Sequence, residues 1–113
     1  MHELGITENI ISIVLSHGEK EGAKRINKIT LRIGELTQIV GDCIRFYFDQ
    51  LSEGTKAEKA ELIIEYIPIK VRCSNCGSEK EASDYDFTCS SCGNICTEFI
   101  TGRELLVEDI EIE

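Results

Sequence analysis

Two closely spaced cysteine pairs constrain this chain more than any other feature. The sequence reads CSNCG from Cys73 and CSSCG from Cys89, with twelve residues between Cys76 and the second pair. Each CxxC spacing lets the backbone turn around its first sulfur, and the glycine that follows tolerates a positive φ. Two such turns can bring four thiolates to one tetrahedral ion, which predicts a structural zinc site formed by Cys73, Cys76, Cys89 and Cys92.

Three other uses of these cysteines stay open on spacing alone. Rubredoxin-like iron accepts the same four thiolates as zinc. A redox site needs only one CxxC, usually at a helix N-terminus beside a strand, and neither pair lies in such a pattern. A disulfide framework is typical of secreted chains, and the N-terminus shows no signal-peptide pattern. Zinc is the interpretation that the spacing favours.

The charge of the chain argues against several classes of partner. Its 113 residues leave room for one ordinary domain plus a small module. The formal net charge is −9, whereas nucleic-acid binding depends on clustered Lys and Arg that neutralise phosphates. No apolar run approaches the eighteen residues or so of a membrane span. We therefore expect a cytoplasmic protein with no nucleic-acid or membrane partner.

Two segments have the apolar spacing of amphipathic helices. The first runs from Leu4 to about Glu19, and the second begins at Gly41 and Asp42 and stops at Gly54. His17 continues the apolar stripe of the first helix, so we interpret it as a helix-end or core residue rather than a ligand. Cys43 reads as a small buried hydrophobic residue of the second helix. The predicted buried stripes are Ile6, Ile10, Ile13 and Val14 in the first helix and Ile44, Tyr47, Phe48 and Leu51 in the second.

Three segments read as strands. Residues 29–33 alternate between apolar and polar side chains, and Gly34 stops them. Residues 62–67 are apolar on both faces except at Glu65, which predicts a central strand. The strand beginning at Leu105 loses its alternation near Asp109, which predicts a bulge or an edge.

The order of these elements predicts an α+β fold. A small three-stranded sheet with two helices would carry an inserted four-cysteine domain similar to a zinc ribbon. The predicted division is an α/β domain of residues 1–68 with 102–113 and a zinc-binding domain of residues 69–101. Because the inserted domain lies between two strands of one sheet, its two ends must leave and re-enter side by side.

Taken together, these features resemble the HypA/HybF family of hydrogenase nickel-incorporation proteins. The resemblance rests on the N-terminal Met1-His2-Glu3, the helix and strand that follow, the turn at residues 33–36 and the two CxxC pairs, and it covers essentially the whole chain. Ser90 stands where the family usually has proline, which should stiffen the second turn less. Cys96 is an additional thiol near the predicted zinc site.

The resemblance implies a nickel metallochaperone rather than an enzyme. Such a protein binds Ni(II) as transient cargo at its N-terminus and holds structural Zn(II) with its four cysteines. The implied partners are a HypB-like nickel-loading GTPase and the large subunit of a [NiFe] hydrogenase, and in some organisms the urease maturation proteins. We expect a monomer or a weak homodimer.

The N-terminus itself has the donors that Ni(II) prefers. This ion favours square-planar sets of nitrogen ligands. Met1 offers its α-amine, His2 its amide nitrogen and imidazole, and Glu3 its amide nitrogen. The Glu3 carboxylate could add an oxygen ligand, or it could serve as a first-turn acid of the helix. Because the amides lose protons on binding, nickel affinity should rise with pH.

Two rival functions stay open at the level of sequence. The first is a zinc-ribbon module for protein interaction or a nucleic-acid machine, without any nickel function, and it predicts a basic, aromatic face. The second is a thiol oxidoreductase with a reactive thiol and no bound zinc. The sequence contains neither a Gly-rich phosphate loop nor a nucleophile paired with a histidine base, so we expect no catalytic activity.

Overall fold

The computed structural model describes residues 2–82 and 85–113. Within them lie two α-helices and two three-stranded sheets, which confirms the predicted α+β class. None of the described helices is both long and apolar enough to cross a bilayer. In chain order the elements are α1 (Glu3–Lys20), β1 (Ile26–Gly34), a 3₁₀ turn (Glu35–Thr37), α2 (Gly41–Leu51), β2 (Glu61–Ile67), β3 (Lys70–Arg72), β4 (Glu79–Glu81), β5 (Glu98–Thr101) and β6 (Leu105–Ile112).

The chain divides into two compact units. The helical unit comprises Met1–Arg32, Ile39–Glu65 and Leu106–Glu113, and the cysteine unit comprises Ile33–Gln38 and Tyr66–Leu105. The cysteine unit thus takes in the end of β1 as well as the segment between β2 and β6. The predicted borders at 68/69 and 101/102 are borders between domains that fold as units. The division into compact units does not test such borders, so they stay a prediction.

The first sheet has the strand order β2-β1-β6, so β1 is its central strand. Ile29 and Leu31 of β1 are fully buried, as their alternation predicts. The prediction that residues 62–67 form a central strand is wrong, because β2 lies at an edge and Tyr66 is 53% exposed. A run of apolar residues favours burial of a strand, but it does not require a neighbouring strand on both sides.

Strand β6 lies at the other edge, which confirms the prediction made from its broken alternation. Two ion pairs connect it to β1, Lys28 with Glu111 at 3.8 Å and Arg32 with Glu108 at 3.6 Å. The β1 partners are four residues apart and the β6 partners three apart. Long side chains can span such an offset, so these ion pairs do not fix the backbone register, and the bulge near Asp109 stays a prediction.

Helix α1 occupies the predicted segment but buries a different face. Ile13 is 54% exposed and His17 is exposed as well, so the prediction that both lie on the buried stripe is wrong. The buried residues continue through Gly18, where an added Cβ would already touch Ile26 at 3.4 Å. The prediction counted apolar side chains and therefore did not include packing at Gly18, which shifted the predicted buried face of α1. The buried residues are Thr7, Ile10, Ile11, Val14 and Gly18.

Helix α2 begins at Gly41, as predicted, and packs against α1. Ile44 and Phe48 are buried one turn apart, which agrees with the predicted apolar face. Cys43 is exposed, so its prediction as a buried residue is wrong. It precedes Ile44 by one position, which turns its side chain about 100° away from the buried face.

The second sheet, with the strand order β4-β3-β5, belongs to the cysteine unit. Both neighbours run antiparallel to β3, and Lys70 of β3 pairs with Glu81 on one side and Thr101 on the other. The pairing of Lys70 with Thr101 confirms that the inserted segment leaves and re-enters side by side. The core of this unit consists of Ile69, Val71, Cys73, Ala82, Cys89 and Cys96, with Leu36, Phe87 and Phe99 packed against it.

A close backbone contact holds the end of β1 in the cysteine unit. A Cβ added to Gly34 would lie 2.1 Å from the carbonyl carbon and oxygen of Gly102. Gly102 has φ +116°, and a Cβ added there would lie 3.1 Å from Ile69. The Leu36 N–H donates to the Gly102 carbonyl at 2.8 Å, and the Gly34 N–H donates to the Glu104 carbonyl at 2.7 Å. Only glycine at both positions permits this approach.

Candidate metal centres

The two CxxC segments form matching turns that we call the knuckles. In the first, the Gly77 N–H donates to the Cys73 carbonyl at 2.8 Å, and in the second the Gly93 N–H donates to the Cys89 carbonyl at 2.9 Å. Both glycines have positive φ, +79° and +80°, as the sequence predicts. Strands β3 and β4 flank the first knuckle, and a bridge between Thr88 and Ile95 flanks the second.

The knuckles bring all four predicted cysteines together. Their Sγ atoms lie within 4.8 Å of one another. The Cys73–Cys92 and Cys76–Cys89 sulfur pairs are 3.5 and 3.6 Å apart. Four sulfurs at the zinc–thiolate distance around a tetrahedral ion would be about 3.8 Å apart, so the cluster fits such an ion. Every cysteine of the described residues is free of disulfides, and neither pair lies at a helix N-terminus.

Backbone N–H groups point at the sulfurs in the same pattern in both knuckles. The N–H groups of Cys76 and Asn75 bond the Cys73 sulfur, and those of Cys92 and Ser91 bond the Cys89 sulfur. The second cysteine of each knuckle receives the N–H two residues further on, from Ser78 and Asn94. Such donors stabilise thiolates, the form that binds metal.

The pKa values of the thiols follow from these donors and from crowding. The Ser78 hydroxyl and N–H lower the pKa of Cys76, and the N–H groups of Cys92 and Ser91 lower that of Cys89. The Asn94 N–H, followed by the Asn75 amide, lowers the pKa of Cys92. At Cys73 two backbone N–H groups lower the pKa, but burial and the neighbouring thiols outweigh them and raise it to about 11. Metal binding must displace this last proton.

Burial divides the four ligands into two pairs. Cys73 and Cys89 are buried in the core of the unit, and Cys76 and Cys92 are exposed. Side chains that the sequence did not single out surround the exposed pair. The Asn75 amide lies 3.7 Å from the Cys92 sulfur, and the Ser78 hydroxyl lies 3.4 Å from the Cys76 sulfur. The only signal for them was their position within or next to a CxxC.

Cys96 lies beside the cluster without joining it. Its side chain is buried in the same core as Cys73 and Cys89, and its N–H donates to the Phe87 carbonyl at 2.7 Å. Burial, followed by the nearby Cys89, raises its pKa. The group of sulfurs that could share one ion contains the four knuckle cysteines and not Cys96. This thiol therefore acts as a packed, neutral side chain.

At the other predicted metal site the structure describes His2 and Glu3, whereas Met1 lies outside the described residues. His2 is exposed and caps helix α1, of which Glu3 is the first residue. The Ile6 N–H donates to the His2 carbonyl at 3.1 Å, which is the first turn of the helix. The amide nitrogens of His2 and Glu3 precede this turn, so the helix makes no use of them.

The Glu3 carboxylate is held by the other helix of the same unit. Its Oε2 accepts a hydrogen bond of 3.1 Å from the Val40 N–H, just before α2. This bond, followed by one from its own N–H, lowers the pKa of Glu3. The Glu3 carbonyl accepts a hydrogen bond of 2.6 Å from the buried Thr7 hydroxyl. Both bonds fix the start of α1. His17, at the far end of α1, joins no group of metal-ligating side chains among the described residues.

Comparison with known proteins agrees with this architecture. A family model described as hydrogenase/urease nickel incorporation, metallochaperone, hypA matches residues 1–112. The chain is 45% identical to the hydrogenase maturation factor HypA of Nostoc punctiforme, with all of this chain and 96% of the relative aligned. It is 38% identical to that of Caldanaerobacter subterraneus over the full length of both.

Two solution structures share the fold. One of a HypA protein has a TM-score of 0.75 at 21% identity, with 100% of this chain and 97% of that one covered. That of the nickel metallochaperone HypA from Helicobacter pylori has a TM-score of 0.68 at 23% identity, with 99% and 97% covered.

The fold and the paired knuckles define a small α+β metal-binding protein that carries a four-thiolate site on its second sheet. The match over residues 1–112 and the full-length relatives go further, and the chain belongs to the HypA family. It is thus a nickel metallochaperone for hydrogenase/urease nickel incorporation and not an enzyme. The family membership confirms the resemblance seen in the sequence and favours it over a nucleic-acid module or a thiol oxidoreductase.

Proposed function

We propose that this protein carries Ni(II) as transient cargo at its N-terminus. Met1 supplies its α-amine, His2 its imidazole and amide nitrogen, and Glu3 its amide nitrogen. A partner GTPase of the HypB type then helps to deliver the ion to the large subunit of a [NiFe] hydrogenase. The four knuckle cysteines hold a structural Zn(II).

One observation is the main support for the proposed nickel site. Helix α1 starts its hydrogen bonding only at the Ile6 N–H, so the amides of His2 and Glu3 can bind a metal without breaking a helical bond. A deprotonated amide at this position also places negative charge at the positive end of the helix dipole, where it is favourable. A square-planar nitrogen set suits Ni(II).

The bond between Glu3 and Val40 supports the assignment of an amide donor to Glu3. Its carboxylate is already engaged with a backbone N–H of the neighbouring helix. The bond holds Glu3 at the start of α1, where its N–H makes no helical hydrogen bond and donates to its own carboxylate, a bond that nickel binding would replace. The carboxylate therefore positions the terminus, and the backbone nitrogen binds the ion.

Zn(II) is the resident ion that the knuckle cysteines fit best. The sulfur distances suit a tetrahedral ion, and thiolate ligands with N–H donors are typical of structural zinc sites. Two of the four sulfurs lie in the core of their unit. Bound zinc would hold the two knuckles together and so contribute folding energy to a unit with few apolar residues.

Delivery requires a cargo site that releases its ion. A planar site at an exposed terminus leaves both axial faces open to a competing ligand, and His2 is exposed. Protons compete with nickel for the amides and the imidazole, so acidification also favours release. The sequence contains no phosphate-binding loop, and nucleotide hydrolysis is therefore assigned to the partner.

Metal stoichiometry on untagged protein tests the site. We expect one zinc and one nickel per wild-type chain, and zinc without nickel both in His2→Ala and in a variant with one residue added before Met1. His17→Ala is the matched control, because it removes the only other histidine and should keep both metals. Nickel binding that survives both terminal changes would rule out the N-terminal site.

Delivery can be tested separately with purified components. We expect nickel to pass from the loaded protein to the hydrogenase large subunit faster when the GTPase and GTP are present. His2→Ala should abolish the transfer while keeping its zinc. Transfer at the same rate without the GTPase would contradict its assigned part and leave the N-terminal site intact.

A further inference from the structure

We infer that Asn75 and the Ser78–Ser91 pair are positioning residues that hold the two exposed cysteines of the knuckle site and set the rate at which it loses its metal. The inference rests on the zinc assignment proposed above. It concerns side chains that do not bind the metal themselves but bond the ligands that do.

The exposed cysteines form the edge at which the site can open. Cys73 and Cys89 are 1% and 3% exposed, whereas Cys76 and Cys92 are exposed to solvent. A chelator, a proton or an alkylating reagent therefore reaches Cys76 and Cys92 first. Whatever restrains these two sulfurs restrains the whole site.

Asn75 restrains one of them from the opposite knuckle. It lies inside the first CxxC, and its Nδ2 donates to the sulfur of Cys92 in the second at 3.7 Å. A thiolate can only accept hydrogen bonds, so this donor is suited to the metal-bound form. A donor to an ionised acceptor is stronger than one to a neutral acceptor.

The sulfur of Cys76, in the first knuckle, is restrained by Ser78 and, through it, by Ser91 of the second knuckle. The Ser78 hydroxyl lies 3.4 Å from the Cys76 sulfur and 3.1 Å from the Ser91 hydroxyl. Once Cys76 is a thiolate, the Ser78 proton must point at its sulfur, and Ser91 then donates to Ser78. Ser91 lies inside the second CxxC, so this chain crosses back to the first knuckle.

The two crossings start from the same position of each knuckle, the second residue between the cysteines. Asn75 bonds the exposed cysteine of the other knuckle directly, whereas Ser91 reaches it through Ser78. Cys92 therefore cannot swing away without breaking a bond to the opposite turn, and Cys76 cannot do so without breaking its bond to the Ser78 that Ser91 holds. Removal of such outer hydrogen bonds typically weakens metal binding by 10–100-fold, and solvent exposure places these bonds at the lower end of that range.

The knuckles supply their own controls. Ser74 and Ser90 occupy the first position between the cysteines, and their hydroxyls make no hydrogen bond to another described residue. We expect Asn75→Ala and Ser91→Ala each to release zinc to a chromogenic chelator roughly tenfold faster than wild type. Ser74→Ala and Ser90→Ala should release it at the wild-type rate. The double variant Asn75→Ala with Ser91→Ala should be faster than either single variant.

A second readout separates the possible failures. Cobalt-loaded protein should show the sulfur-to-cobalt absorption of four thiolates in wild type and in all variants, so that faster release cannot be ascribed to a lost ligand. Wild-type release rates in Asn75→Ala and Ser91→Ala, with this spectrum retained, would overturn the inference alone. Absence of the spectrum in wild type would overturn the zinc assignment, and the inference with it.

Discussion

Replacement of Gly34 by alanine should destabilise the cysteine unit strongly. The added Cβ would lie 2.1 Å from the Gly102 carbonyl group and 2.6 Å from the Arg103 nitrogen. All of these are backbone atoms, so no side chain can rotate to relieve the overlap. The two segments would have to separate by about 1.3 Å to restore a contact of 3.4 Å.

The magnitude follows from what this separation breaks. The backbone bonds from Gly34 to Glu104 and from Leu36 to Gly102 are 2.7 and 2.8 Å long, and both would lengthen beyond the usual range. Overpacking costs about 1–3 kcal/mol, and each lost hydrogen bond adds about 1 kcal/mol. We expect a loss of about 3 kcal/mol or more in the free energy of unfolding, equivalent to roughly 15 °C in melting temperature.

Urea unfolding followed by circular dichroism, with retention of the metal proposed for the knuckles measured in parallel, tests this reasoning. Gly5→Ala is the control, because it lies in helix α1 with nothing within 4 Å of the added Cβ. Alanine favours a helix over glycine by about 0.5–1 kcal/mol, so this variant should be slightly more stable than wild type. If Gly34→Ala keeps wild-type stability and its knuckle metal, the close backbone contact between Gly34 and Gly102 does not exist.

Three further outcomes are expected. Phe48→Ala should lower the free energy of unfolding by about 3–5 kcal/mol, because its side chain is buried. Phe46→Ala, at a side chain 58% exposed, should change it by less than about 0.5 kcal/mol. Equal losses of the two variants in urea unfolding would contradict the assigned buried face of α2. The Val40 N–H lowers the pKa of Glu3 from 4.5, so the bond between them persists above that pH and is lost as the pH falls through the lowered value. The Val40 amide chemical shift should therefore move only below pH 4.5, and Glu3→Gln should abolish the movement. Removal of the metal proposed for the knuckles by a chelator should speed amide hydrogen exchange in β3 and β5 and leave β1 residues 26–32 protected. Uniform exchange across the chain would show that the metal stabilises more than its own unit.

Local chemistry made the knuckles predictable from sequence. A CxxC followed by glycine specifies its own turn within five residues, so the convergence of Cys73, Cys76, Cys89 and Cys92 needed no knowledge of the rest of the fold. The alternation of Ile29 and Leu31 identified a strand in the same way, although it did not indicate that this strand is the central one. In each case the residues that show the sequence pattern are also the residues that form the turn or the strand.

Features decided by distant neighbours were harder to predict. Strand β4 consists of Glu79, Lys80 and Glu81, three charged residues with no strand pattern. It forms because the first knuckle folds the chain back onto β3, where Arg72 lies opposite Glu79 and bonds its carboxylate at 2.7 Å. The edge position of β2 likewise depends on the strand with which β6 pairs. The sequence of β2 contains no information about that pairing.

The N-terminal site lies between these cases. The nitrogen donors of residues 1–3 could be read directly from the sequence, whereas the bond from Val40 to Glu3 joins residues 37 positions apart. The sequence left the carboxylate with two equal uses, as a ligand or as a first-turn acid. The structure adds a third, an anchor to the second helix, which no local pattern indicates.

The repeated design of the knuckles has a consequence for the order in which ion and chain come together. Each knuckle is a four-residue chelate whose closure costs little chain entropy, so either one can capture an ion while the rest of the unit is still unfolded. The second knuckle then closes a loop of 13 residues, from Cys76 to Cys89. The entropy of closing that loop grows only slowly with its length. A captured ion therefore acts as a nucleus that draws β3 and β5 into register, so that loading the resident metal and folding this half of the protein become one event.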